Sequence, residues 1–377
     1  MWTGVALIFT NFEGNILILA LPAIAREFHA STLSLSQLGS VLSIGTLGAL
    51  PLATLADRFG RRRMIAVGVA GSSLVNLVSG FAASLAELAF LRLFAVMFEV
   101  LVVAVVTALV VEEAPREHRG TAVSFVALLS GIGIFIVVVA YPLIAPHWRW
   151  LFYAAGSGVV LFPFMWWVLP ESNPWKKVRV TRSALRVLLE RPWRRRIVVL
   201  ATMTGLLAVL LQPAGLLYTV FASFDLHWSA VAISALIVVS GIAGATCYLA
   251  GGYLTDRLGR RGPAIALTVA TAAATSLSFA TGSMGFFVGN VLWSAFASAG
   301  TPVFGAWSGE LFPTRARATA ETSTSVVAAI GGIAGLQLVG FLAPSAGLGG
   351  AIEVRIRAST SSNGPRPSTV FTTPFFL

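Results

Sequence analysis

Charge is scarce in this sequence. Only 11% of its 377 residues are charged and 56% are hydrophobic, where an ordinary soluble domain has about 25% charged residues. A chain of this composition cannot cover itself with groups that water solvates, so a soluble globular domain is excluded. Cysteine is nearly absent: the single Cys247 lies inside an apolar run and cannot form an intrachain disulfide. Together with four scattered histidines it offers no metal-ligand spacing, so no metal is expected. There is no Ser/His/Asp constellation and no glycine-rich loop followed by Lys-Ser/Thr. An enzyme is therefore not expected, and neither catalytic residues nor a cofactor are assigned. No basic region precedes the first apolar run at Trp2, and no small-residue cleavage site follows it past Leu21, which makes it a first span rather than a signal peptide.

What the sequence does have is long apolar runs. Crossing a bilayer core of about 30 Å takes about 20 apolar residues in helical form. Eleven runs qualify, near 2–24, 33–55, 64–84, 88–111, 121–145, 150–169, 197–222, 229–254, 263–282, 284–308 and 319–342. Backbone groups in lipid must be satisfied within the segment, and runs without period-2 alternation predict helices rather than barrel strands. The expected fold class is an all-α polytopic membrane protein.

Lys and Arg number 26 against 15 Asp and Glu. On a soluble domain a basic face would point to nucleic acid, but here the cations sit in short clusters between spans, so no nucleic-acid partner is expected. Nine of them fall between Lys176 and Arg196, and others in the loops at Arg58–Arg63, Arg116–Arg119, Arg257–Arg261 and Arg315–Arg317. All of these loops lie on one side. The alternate loops hold only Arg26 and Arg149. Because cytoplasmic loops carry the basic excess, the N-terminus is expected in the cytoplasm of a cell with a bacterial-type inner membrane.

The basic linker 170–196 divides the chain, and the two parts carry matching punctuation. LADRFGRRR follows span 2 and YLTDRLGRR follows span 8, while EEAPREHRG follows span 4 and GELFPTRARA follows span 10. Asp57 and Asp256 lie 199 residues apart and Glu112 and Glu310 lie 198 apart. Two loops repeating at nearly one offset indicate duplication. The expected organisation is a six-span half at 1–169, the linker at 170–196, a second half at 197–342 with five visible spans, and a polar tail at 343–377 expected to be disordered.

These loops resemble those of the major facilitator superfamily. Asp-Arg-x-Gly-Arg-Arg between spans 2 and 3 is similar to its signature, repeated in the second half with a leading Gly252. Glu-x-x-Pro-x-x-x-Arg (Glu112, Pro115, Arg119; Glu310, Pro313, Arg317) and PES at 170–172 are similar to loops of its metabolite:proton symporter and sugar-porter-like branches. The resemblance covers residues 1 to about 345. It implies two six-helix halves, alternating access, and a small organic solute moved together with protons. Membrane lipid is the surrounding partner, and a monomer is expected. Spans 1, 4, 7 and 10 of the superfamily line a central cavity. Asp57, Arg58, Gly60, Arg61, Asp256, Arg257, Gly259 and Arg260 are then a conformational latch between helix ends. Topology-setting charge with two turn glycines remains the alternative.

Charges inside spans are the more informative signal, since each costs at least about 2.5–3.5 kcal/mol at the bilayer centre. Glu13 lies mid-span in span 1, and Arg92 and Glu99 lie in span 4. Seven residues apart, Arg92 and Glu99 share a helix face about 10 Å apart along the axis, a separation that predicts a shared cavity without a direct pair. A carboxyl away from water takes up a proton more readily, so these three are the proton-coupling candidates; helix packing remains the alternative, above all for Arg92. The repeat offset carries Glu13 onto Gln212 and Arg92 onto Asn290. The first half is thus expected to handle protons and the second to hydrogen-bond the solute. Asn11, Asn15, Gln212, Asn290, Trp293 and Gln337 are candidates for solute contact or for bonds between helices. Gly241, Gly244, Gly331, Gly332 and Gly335 are expected on close-packing faces.

Past Gly350 a twelfth span should begin, but EVRIRASTSSNGPRPSTVFTTPFFL is polar and unable to cross a bilayer. A frameshifted or truncated end is the expectation this raises. Two readings besides symport stay open: drug or metabolite efflux by proton antiport, although span 5 lacks a Gly-Pro-rich pattern, and a non-transporting remnant.

Overall fold

The computed structural model describes residues 2–113, 119–145, 147–168, 190–259, 261–311 and 314–358. Every regular element among these residues is a helix. The first half consists of α1 (Trp2–Glu27), α2 (Thr32–Phe59), α3 (Arg61–Ser79), α4 (Leu85–Glu113), α5 (Arg119–Ile144), α6 (Trp148–Gly156) and α7 (Leu161–Val168). A short 3-10 turn, Ser157–Val160, joins α6 to α7 within one span. The second half consists of α8 (Arg191–Phe224), α9 (Ala230–Leu258), α10 (Arg261–Ala280), α11 (Gly282–Leu311) and α12 (Thr314–Ala358). Six stretches of described helix are long and apolar enough to cross a membrane.

The helix ends follow from local chemistry. Gly60 and Gly259, in the repeated Asp-Arg-x-Gly-Arg motif, adopt φ of 92° and 77°, a left-handed region that costs glycine nothing. They let the chain reverse between α2 and α3 and between α9 and α10. At the opposite end the halves repeat a second feature. His29 (φ 47°) and His227 (φ 54°) occupy matching left-handed positions after α1 and α8, and each is followed two residues later by a serine at the next helix start. Ser31 Oγ accepts from Ser34 N and Ser229 Oγ from Ala232 N, capping α2 and α9. Phe-His-Ala-Ser and Leu-His-Trp-Ser are thus a further copy of the repeat, legible once the backbone is seen.

Close packing relies on small residues. A Cβ on Gly331 would lie 2.2 Å from Gly205 O, and one on Gly335 2.1 Å from Val209 O, so α8 and α12 meet backbone to backbone. One on Gly244 would meet Ser298 Oγ at 2.8 Å. Gly332 lies against the Gln212 side chain, 3.0 Å from Cγ. Gly241 differs from the expectation: a Cβ there would meet nothing within 4 Å, because it lines a cavity.

One end of the bundle joins the halves. A single apolar cluster there draws Ile16, Leu38, Val138, Leu217, Leu236 and Phe286 from both. Thr219 Oγ1 donates to Ile18 O (2.7 Å), Ser234 Oγ to Val138 O (2.9 Å) and Gln337 Nε2 to Ser40 Oγ (2.9 Å), each bond crossing from one half to the other. Toward the other end each half keeps its own cluster, around Ile65, Val102 and Val106 in the first and around Leu200 and Ala320 in the second. The halves are therefore joined at the end carrying residues 28–31 and 225–229.

Helix α12 runs on to Ala358, so residues 343–358 are helical where a polar tail was expected. Residues 359–377 and most of the linker, 170–189, lie outside the described residues.

Candidate functional site

The ionisable groups of the first half meet in one cluster. Glu13 is fully buried; its Oε2 accepts from Ser72 Oγ and its Oε1 from Ser73 Oγ, both at 2.6 Å. Arg92 Nη1 lies 3.2 Å from Glu99 Oε1, and Nη2 donates to Glu99 Oε2 at 3.4 Å. Arg92 also donates to Asn76 Oδ1, whose amide nitrogen faces Glu99 Oε1 at 3.5 Å. Glu99 lies over Gly14, with Oε2 3.5 Å from where a Cβ would stand, so the pair sits beside Glu13.

Two expectations are corrected here. Arg92 and Glu99 form a direct ion pair. Their axial separation is bridged because a helical Cα–Cβ bond tilts toward the N-terminus, leaning Glu99 back toward Arg92, and the arginine side chain spans the rest. The cluster also does not border either of the two cavities described below. It is turned into the first half, against α3. The reason is a polar stripe in α3 that the sequence reading passed over: Ser72, Ser73, Asn76 and Ser79, all buried. At intervals of one, four and seven residues they share a face, and four small polar residues on one face of a span were the available signal. A buried carboxylate needs donors, and this stripe supplies them.

The second half holds a cavity of about 380 Å³ among α8, α9 and α11, lined by Tyr218, Ser240, Asn290, Trp293, Ser294 and Ser298 among others. Two of its polar atoms, Asn290 Nδ2 and Ser240 Oγ, are buried without a hydrogen-bond partner. An unmade buried hydrogen bond costs about 1–3 kcal/mol, so this cavity is suited to a polar solute group. Trp293 offers a ring and Tyr218 a hydroxyl-bearing one. Neither residue is accompanied by a charge among the cavity's described lining.

Other candidates are distributed. Asn11 Nδ2 bonds Leu7 O and Ser130 Oγ (2.9 and 3.1 Å), tying α1 to α5, and Asn15 Nδ2 bonds Asn11 O at 2.8 Å. Gln212 is exposed. Gln337 holds the two halves together, as described above. Of the latch residues, Arg61 is buried at the start of α3 and Arg257 is exposed, its guanidinium 4.5 Å from the ring of Tyr253 on its own helix. Pro115, Arg260 and Pro313 lie outside the described residues, as do the side chains of Asp57, Arg58, Glu112, Arg119, Asp256, Glu310 and Arg317. No cluster of metal-ligating side chains occurs among the described residues.

The family model of the Major Facilitator Superfamily matches residues 1–222 and 213–352. The chain belongs to this superfamily. A probable 4-methylmuconolactone transporter of Cupriavidus pinatubonensis is 26% identical over 327 residues, 82% of this chain and 75% of that protein. A putative niacin/nicotinamide transporter of Bacillus subtilis is 23% identical over 347 residues, 90% of this chain and 87% of its relative. In fold, a bacterial homologue of the human lysosomal transporter Spinster superposes with a TM-score of 0.76 at 16% identity, over 92% of this chain and 82% of that one. The protein is a multi-pass membrane transporter of small organic solutes.

Proposed function

We propose that this transporter imports a small ring-bearing carboxylic acid together with a proton. The observation that carries the reading is the imbalance of the buried cluster, two carboxylates against one guanidinium. Arg92 engages Glu99, which leaves Glu13 with hydroxyl partners only. A buried unpaired charge is strongly unfavourable, so the cluster is neutral when it holds one proton. Ser72 accommodates either state. Its Oγ lies 2.6 Å from Glu13 Oε2 and 3.1 Å from Val69 O. It can donate to an ionised Glu13, or donate to Val69 O and accept from a protonated one.

The solute is assigned by two supports. The relatives reported above are named as a probable 4-methylmuconolactone transporter and a putative niacin/nicotinamide transporter, and these are small one-ring compounds. The 380 Å³ cavity presents a tryptophan ring and two unpartnered polar atoms, which suits such a molecule. With the basic loops in the cytoplasm, the joined end of the halves faces outward and the conformation is inward-facing. The membrane is then a bacterial inner membrane, and the Asp-Arg-x-Gly-Arg loops sit where the inner face must close.

Reconstituted vesicles test the reading. Nicotinate should accumulate against its gradient when the outside is acidic, and a protonophore should reduce it to equilibration. Accumulation that ignores the protonophore would replace symport by another coupling, and no uptake of nicotinate or 4-methylmuconolactone would remove the solute class.

A further inference from the structure

A second cavity, of about 490 Å³, opens at the joined end of the bundle between α1, α5, α8 and α9. Its walls include Arg26, Glu27, Tyr141, Trp148, Ser223 and Trp228. Of the two charges in its lining, Arg26 and Glu27, only the carboxylate is neutralised by a neighbour outside the cavity, Arg149. Glu27 is already engaged: its Oε2 accepts from Trp148 Nε1 at 2.6 Å and its Oε1 from Arg149. Arg149 also donates to Ala82 O at 3.1 Å. Arg26 has an aromatic partner instead of a carboxylate; its guanidinium lies 5.1 Å from the ring centroid of Phe224. That contact steadies the guanidinium by cation–π attraction while leaving its N–H edges open. Three charges therefore sum to one uncompensated cation, flanked by the rings of Tyr141, Trp148 and Trp228. Of the two basic residues on this side of the sequence, one is structural and the other is free to bind.

The inner cavity offers hydrogen bonds and no cation among its described lining, whereas the outer chamber offers a cation.

We propose that the outer chamber is a separate capture site for planar carboxylate anions, with Arg26 gripping the carboxylate and the half-buried Trp228 holding the ring. The chamber recognises the charged form, and the inner cavity the shape. The site follows from the geometry alone; the choice of a ring acid as its ligand rests on the function proposed above.

Nicotinate and nicotinamide separate the terms, since they share a ring and differ in charge. Titrating the reconstituted protein with nicotinate should give a saturable change in tryptophan emission, weaker as ionic strength rises. Nicotinamide should bind at least about tenfold more weakly, the scale of a charge-assisted bidentate contact. Arg26→Gln should remove that preference, Arg26→Lys should keep part of it, and Trp228→Phe should diminish the optical signal. Asn290→Leu should leave capture intact, because it lies in the inner cavity. Arg26 is exposed, so its substitution should leave the melting temperature unchanged. A missing saturable signal, or a nicotinate preference unaltered in Arg26→Gln, overturns the capture site. If capture is present but vesicles do not accumulate nicotinate, the proposed function fails and the capture site stands.

Discussion

The two halves repeat the same loop motifs and spend their polar residues in opposite ways. The first buries Glu13, Arg92 and Glu99 against the serine and asparagine stripe of α3, so that charged groups meet inside the half and are closed off from the cavities. In the second, Gln212 and Asn290 stand at the equivalent positions. Asn290 turns an unpartnered amide toward a cavity, and Gln212 is exposed. Under the proposed function the two halves separate two tasks: one holds the proton, the other offers hydrogen bonds to the solute. Helix packing inside each half permits this, because α3 in the first half presents hydroxyls where α10 in the second presents Thr271, Thr275 and Ser278 bonded back to their own helix.

The largest effect is expected from breaking the first half's ion pair. Arg92→Leu leaves Glu99 buried without its guanidinium, and loss of one partner of a buried pair typically costs about 3–5 kcal/mol. The variant should melt well below the wild type in detergent. Adding Glu99→Leu should restore most of the loss. An additive double variant would mean that the pair is not the structural unit of this half.

A smaller effect, and one that sharpens the division of tasks, compares Glu13→Gln with Asn290→Leu. Glu13→Gln should lose pH-driven accumulation of nicotinate while keeping exchange between equal pools, since exchange moves the loaded carrier without net proton transfer. Asn290→Leu should do the reverse: proton dependence is retained, and KM rises by up to about tenfold, the scale of one hydrogen bond to solute. If both variants fail in the same way, the halves do not divide the work.

The smallest expected effect concerns the seam. Gln337→Leu removes one bond between the halves while Ser40 Oγ keeps its bond to Ser36 O. A loss of about 1 kcal/mol should shift the equilibrium several-fold toward states open at this end. Spin labels on cysteines at Ala83 and Thr281, in a Cys247→Ser background, should report a larger population of long distances. An unchanged distribution would show that the apolar cluster alone holds this end.

Much was legible in the sequence because a bilayer imposes one-dimensional rules. Span length is set by hydrocarbon thickness, orientation by where cations are retained, and duplication by loops whose glycines and prolines must recur to turn the chain. Those rules marked the apolar runs that prove helical and three charges that prove buried, without any knowledge of packing. Side-chain partnership lies beyond them. Glu13 could have faced a cavity or a neighbouring helix, since a helical position specifies an angle and leaves open what stands across from it. Only the tertiary arrangement decided that α3 meets that angle with Ser72 and Ser73, that Glu99 leans back to Arg92, and that Arg26 remains uncompensated while its neighbour Glu27 is bound. Contacts between residues 59 or 121 positions apart in the chain depend on how whole helices pack, and no local pattern encodes that.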